Sequence, residues 1–302
     1  MKTDVTMLLA FLLASIATAS AKTNCTTCIT VEKNDNTTCY NTTFLLELDA
    51  PFRNEVVIHK LGILRSTNVL FFSFEPTLTD PEYYKIGYIN LDNPGNVSVI
   101  SGGKKIMNFG AFDIDQANAL IYLGGSDGIY ALDAKVNIVK SFSSRGDTIL
   151  SLFYKDHVYF VRDGEYKIVR KKDSNFDIYV DDMRVKNFVI NKYNVFIFLS
   201  NLGLFAKRNK EIVKLSKNAF IRGLTIDLDD VVYAWWVDEV YKVVIDNNVL
   251  SKSRLVKIAE IPFIGAITFD NNNNFIFTSD KNLFRLIETD FSNCLNDTDG
   301  VR

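Results

Sequence analysis

An apolar stretch ending in a polar turn, then an aromatic-rich strand, a second turn and a second aromatic-rich strand, recurs six times along this chain. The copies read LGILRSTNVLFFSF (61–74), AFDIDQANALIYLG (111–124), LFYKDHVYFV (152–161), VINKYNVFIFLS (189–200), TIDLDDVVYAWW (225–236) and TFDNNNNFIFTS (268–279). Their starts lie roughly 36 to 50 residues apart, a period typical of stacked or radially arranged β units. Runs such as Val195-Phe196-Ile197-Phe198 are β-branched or bulky, while Asn, Asp and Gly occupy the joints, so strands and tight turns alternate. Each unit goes on to a further strand, as in GIYALDA (128–134) or EVYKVVI (239–245), and short strands such as NVSVI (96–100) lie between units. Six units of four strands predict an all-β fold, the six-bladed β-propeller.

The strand count leaves a gap. After Glu288 the sixth unit has no outer strand of its own, whereas TFLLELDA (43–50) lies unassigned ahead of the first unit. Lending that run to the last blade closes the ring and removes two open sheet edges. The expected organisation is therefore a leader at 1–21, a cysteine-containing segment at 22–42, one propeller at 43–291 and a tail at 292–302 that carries Cys294.

The leader begins with Lys2, continues as an apolar run from Met7 to Ile16 and ends in the small residues Ala19-Ser20-Ala21. That run is too short to span a membrane and reads as a secretory signal. An exported chain meets an oxidising compartment, so Cys25, Cys28, Cys39 and Cys294 are candidates for two disulfides, with three connectivities open. Ring closure requires Cys294 to reach the N-terminal cluster if all four are bridged. Asn24, Asn36, Asn41, Asn96 and Asn296 each begin a glycosylation sequon. A net charge of −2 argues against a nucleic-acid surface, and no later run is long enough for an apolar membrane span. A monomer is expected.

The chemistry on offer is sparse. The two histidines are His59, on a candidate inner strand, and His157, in the turn YKDHVY, where exposure is the simpler reading than catalysis. No nucleophile elbow or phosphate loop is present, and no catalytic residue is assigned. Asp115, Asp227 and Asp270 recur at inner-strand ends just before turns, where turn chemistry accounts for them without a metal. No metal site or cofactor is assigned. Since some six-bladed propellers are calcium-dependent lactonases, that class stands as the alternative, with an extracellular interaction module as a third.

Aligning the units backwards from their second strands places Lys60, Gly110, Thr148, Asn187, Arg222 and Gly265 at equivalent inner-strand positions. Two residues earlier come Ile58, Asn108, Gly146, Val185, Phe220 and Phe263. Alternate residues of an inner strand face the axis, so one or both sets line a channel. The candidate ligand-binding residues are Lys60, Asn108, Thr148, Asn187, Phe220, Arg222 and Phe263. Lys60 and Arg222 offer charge for an anion, and the phenylalanines offer stacking surface. The competing reading sends the cations to a rim and the phenylalanines into the core between blades, and for the aromatics it is the favoured one. Trp235 and Trp236, adjacent on one strand, are expected on opposite faces, with at least one between blades. The loop EPTLTDPEYYK (75–85), longer than its counterparts, is a candidate lid or partner contact.

The N-terminal cysteines Cys25, Cys28 and Cys39, the segment FFSFEPTLTDPEYYKIGYINLD (71–92) and the block FDIDQANALIYLGGSDGIYALD (112–133) together resemble the ommochrome-binding proteins of moths and butterflies. The resemblance runs over most of the chain beyond the leader. It implies a secreted haemolymph carrier for a tryptophan-derived, planar, carboxylate-bearing pigment of the xanthommatin type, binding without catalysis. A pocket with a cation and aromatic walls suits such a molecule.

Overall fold

The computed structural model describes residues 27–31, 36–100, 105–173 and 175–288. The leader at 1–21, Cys25, Cys294, Asn24 and Asn296 lie outside them. Each repeat folds into an antiparallel meander because its strands are short, bulky and separated by turns of a few residues. Blade I comprises Ile58–Leu64, Val69–Phe74, Lys85–Asn90 and Ser98–Ile100, and blade II comprises Ala111–Asp115, Leu120–Gly125, Gly128–Asp133 and Ile138–Ser143. Blade III comprises Ile149–Tyr154, Val158–Arg162, Ile168–Lys172 and Asn175–Val180. Blade IV comprises Val185–Ile190, Phe196–Ser200, Gly203–Arg208 and Glu211–Ser216. Blade V comprises Gly223–Ile226, Val232–Trp235, Glu239–Val244 and Arg254–Glu260.

Blade VI is completed from the other end of the chain. Its strands Ile264–Phe269, Phe275–Ser279 and Asn282–Glu288 are joined by Asn36–Glu47, in register from Tyr40 opposite Glu288 to Glu47 opposite Asn282. The loan expected from the sequence is thus made, but the strand starts earlier than residue 43 and stops before 50. It stops at Glu47 because its partner strand begins opposite, at Asn282. A fifth strand, Thr27–Val31, pairs outside it. The polar segments TCITV and NTTCYN carry little of the apolar signal that marks the other strands, so this hairpin was not anticipated.

The ring closes through its inner strands, each touching those of both neighbouring blades, with Ile264–Phe269 against Ile58–Leu64 at the seam. Phe72, Phe74, Phe112, Phe160, Phe188 and Phe198 are fully buried. A buried Phe of this kind is worth roughly 1.5–3 kcal/mol relative to exposure. This packing fixes the axis and leaves the inner-strand side chains to line it.

The recurring polar residue after the inner strand builds the next turn. The Oδ1 atom of Asp115 accepts from the backbone N–H groups of Ala117 and Asn118, and that of Asp227 accepts from Asp229 and Val231. Asp270 accepts from Asn272 and Asn274, and Asn191 plays the same part for Tyr193 and Val195. An amide serves here as well as a carboxylate, because the turn uses only the acceptor oxygen. Among the described residues no helix is long and apolar enough to cross a membrane.

Candidate functional site

The axial channel is divided into two cavities. The larger, of about 450 Å³, opens where the inner strands begin, and the smaller, of about 150 Å³, lies towards their far ends. Lys60 and Asn187 line both, so they mark the waist. There the Lys60 Nζ lies 3.3 Å from Asp113 Oδ1 and donates to the Leu152 carbonyl at 3.3 Å, while Asp113 Oδ2 accepts from the Tyr154 N–H at 2.7 Å. The ammonium also sits 5.4 Å from the centre of the Phe112 ring. One ion pair thus ties the inner strands of blades I, II and III and forms the floor of the larger cavity.

Of the residues expected to bind ligand, Lys60, Asn108, Thr148, Asn187 and Arg222 line the larger cavity. Lys186 is a cation that the sequence reading missed, because only every second inner-strand position was considered and Lys186 sits beside Asn187 where the strand register shifts. Asp163 is the only carboxylate-bearing residue of the lining. Lys186 and Arg222 have no ion-pair partner among the described residues, in contrast to Lys60. The wall is therefore cationic, with Ile149, Leu150, Leu152 and Ile221 supplying apolar surface.

The long loop of blade I completes the wall with Tyr83 and Tyr84. Its fold is held by buried Glu82, whose Oε1 accepts from the Met107 N–H at 2.8 Å, and by Asn108, whose Oδ1 accepts from the Tyr83 N–H at 2.8 Å. Lys85 pairs with Asp80 at 2.7 Å across the base of the loop. Tyr84 can lie flat there because Gly110 has no side chain, and a Cβ at that position would stand 3.1 Å from the ring. Asn108 is thereby committed to the loop as well as to the lining.

His59 also lines the cavity. Its Nε2 is 3.0 Å from Glu75 Oε1, Glu75 pairs in turn with Arg53, and the imidazole meets the Tyr84 ring edge-on at 5.4 Å. Although 41 % of its side chain stays open to solvent, the partial loss of hydration among these walls holds the imidazole pKa below its ordinary value, and the opposing pull of Glu75 does not restore it. His157 is exposed in its turn.

Phe220 and Phe263 take neither of the two places foreseen for them. They are absent from the cavity lining and, at 73 % and 72 % exposed, they are not core either. Both sit on the loops that lead into the inner strands of blades V and VI. Trp235 and Trp236 do diverge: Trp235 is buried between blades V and VI, its ring over Gly223 and its indole N–H donating to the Gly265 carbonyl at 3.1 Å. Trp236 turns outward and stacks on Phe220. Blade VI contributes nothing to the lining of the larger cavity.

Among the described residues no group of three or more His, Cys, Asp or Glu side chains is placed to hold a metal ion. Of the sequons, Asn41 is exposed on the strand Asn36–Glu47 and Asn96 is exposed before Ser98–Ile100.

Solved structures share this architecture, and two illustrate it. A gluconolactonase from Xanthomonas campestris superposes with a TM-score of 0.61 at 13% identity, covering 87% of this chain and 95% of its own. A streptogramin B lyase superposes at 0.51 with 12% identity, covering 83% and 98%. At these identities the likeness speaks to the fold alone. No protein-family model matches the chain. In sequence, the ommochrome-binding protein of Manduca sexta is 25% identical over 240 residues, which is 77% of this chain and 84% of that protein. The resemblance read from the cysteines and the first two repeats thus extends over most of the molecule, and the chain is a distant relative of an ommochrome-binding protein.

Proposed function

We propose that the larger cavity binds an anionic, planar aromatic molecule of the ommochrome type, and that the protein is a secreted, non-catalytic carrier for it in haemolymph. The observation that carries this reading is the charge of the wall: Lys186 and Arg222 face a cavity whose lining holds one carboxylate, Asp163, while Lys60 is paired with Asp113 at the floor. Lys186 and Arg222 have no ion-pair partner among the described residues, so their charge is available to a ligand carboxylate, and guanidinium–carboxylate pairing is strong and directional. Tyr83 and Tyr84 offer ring surface beside that charge. A volume of about 450 Å³ suits a small organic molecule. The name of the Manduca sexta relative supports the pigment class.

The alternative is hydrolysis of a lactone with calcium, in the manner of other six-bladed propellers. Calcium wants about six to eight oxygen ligands, mostly carboxylate and carbonyl. This cavity offers Asp163 and, at its floor, Asp113 already paired with Lys60, and Lys186 and Arg222 oppose a divalent ion by direct repulsion.

Titration of the purified secreted protein with xanthommatin, followed by calorimetry and visible absorbance, separates the two. Saturable one-to-one binding that weakens about tenfold in Arg222→Gln is expected, that factor being about 1.4 kcal/mol. No binding, together with calcium-dependent turnover of gluconolactone, overturns the carrier reading.

A further inference from the structure

We infer that Phe220, Trp236 and Phe263 form an aromatic shelf on the rim between blades V and VI, and that it stacks the part of the ligand's ring system that projects beyond the cavity. The inference rests on the proposed carrier role and adds to it a second, extra-cavity subsite.

Three observations converge on it. The first is contiguity with the cavity. Phe220 lies between Ala219 and Ile221, which both line it, and two residues before Arg222. Its ring stacks on Trp236 with centres 6.4 Å apart and planes 25° apart. Phe263 is tied to the same turn, its N–H donating to Asp238 Oδ1 at 3.0 Å and the next N–H, of Ile264, donating to the Val237 carbonyl at 2.9 Å. An anion held by Arg222 would therefore have flat aromatic surface beside it.

The second observation is exposure. Phe220 and Phe263 leave about three-quarters of their surface to water, although every other phenylalanine with a described side chain is better covered. Large aromatic side chains left in water beside a pocket are typical of a surface that is covered when occupied.

The third is backbone conformation. The loop residue two places before the aligned channel position has a positive φ in three blades: Asn108 at 47°, Gly146 at 87° and Phe263 at 57°. Asparagine and glycine tolerate that region, whereas a bulky aromatic residue is an outlier there. Folding alone would be better served by Gly or Asn at 263, so the ring answers to something else, and strain of this kind gathers at ligand clamps. Blade VI gives no wall to the cavity, and Phe263 stands on its leading loop. The ligand class that fits both parts carries a carboxylate and a fused planar ring system that reaches from the cavity to the rim.

The test uses the intact secreted protein and two probes: xanthommatin, and anthranilate as a single-ring carboxylate small enough for the cavity. Phe220→Ala and Phe263→Asn should each weaken xanthommatin binding about tenfold while changing anthranilate binding by less than about twofold. Phe263→Asn should also melt at a higher temperature than the parent, which separates loss of contact from loss of fold. Xanthommatin should quench tryptophan emission, and Trp236→Phe, which keeps a stacking ring, should lose most of the quench while retaining affinity. Unchanged xanthommatin affinity in both phenylalanine variants, or equal weakening for both probes, overturns the shelf and leaves the carrier role standing. If the parent binds neither probe, the carrier role itself falls and the shelf with it. Concentration-dependent dimerisation abolished by Phe220→Ala would assign the rings to a second copy of the chain and also overturn the inference.

Discussion

The Lys60 ammonium of blade I lies 3.3 Å from a carboxylate oxygen of Asp113 in blade II, at the waist of the channel. The other oxygen of Asp113 takes the backbone N–H of Tyr154 in blade III. Because both groups are largely but not fully covered, the pair's own attraction is modest, and the larger cost of breaking it is the orphaning of the partners. Asp113→Ala is expected to destabilise the fold by about 1–3 kcal/mol in chemical denaturation. Lys60→Met should cost less, since it leaves Asp113 its backbone donor. A neutral effect of Asp113→Ala would remove the ion pair from any role in joining the blades.

Asp227 holds two backbone N–H groups and the Tyr233 hydroxyl, the last at 3.1 Å. Burial pushes its carboxyl pKa up, and the hydrogen bonds it accepts only partly oppose this. Blade IV uses Asn191 for the same turn. Asp227→Asn should therefore stay within about 0.5 kcal/mol of the parent, whereas Asp227→Ala should lose about 1–3 kcal/mol. Equal damage from both substitutions would mean that the negative charge itself is required.

His59 gives a pH dependence whose sign follows from its lowered pKa. The unfolded chain takes up the imidazole proton near its ordinary value of about 6.5, and the folded chain only at lower pH. Stability is thus fully present above that value and declines as pH falls from there through the folded pKa. Chemical denaturation between about pH 7.5 and 5.5 should show this decline, and His59→Asn should flatten it. A decline of the same slope in the variant would place its origin elsewhere.

In the hairpin outside blade VI, Cys28 stands directly opposite Cys39 in the backbone register. Opposed Cα atoms in antiparallel strands lie about 4.5–5.5 Å apart, within the span of a disulfide. The expected bond is Cys28–Cys39, which leaves Cys25 and Cys294 as the second pair. Peptide mapping without reduction checks this, and a Cys25–Cys28 or Cys28–Cys294 peptide would show the register to be misleading.

The parts of the site that could be read beforehand were those carried by repeat position. Lys60, Asn108, Thr148, Asn187 and Arg222 reach the cavity because each occupies an equivalent place on its repeat, and a radial fold turns equivalent places towards one axis. Lys186 escaped notice because a shift in strand register at Val185–Asn187 breaks strict alternation. Phe220 and Phe263 follow the alignment into the right loops but not into the cavity; Phe220 stacks on Trp236 instead, and Phe263 stays exposed.

By itself, the sequence settled the number of blades, the order of strands and the borrowing of an N-terminal strand, because these depend on local patterning and on the need to leave no open sheet edge. The tertiary structure decided which charges are free. Lys60 and Arg222 look alike in the repeat, yet only Lys60 finds a carboxylate, because Asp113 is supplied by a neighbouring blade 53 positions away. It also decided that two aromatic rings remain in water at the rim. Such outcomes depend on distances between residues remote in the chain, which periodicity does not encode.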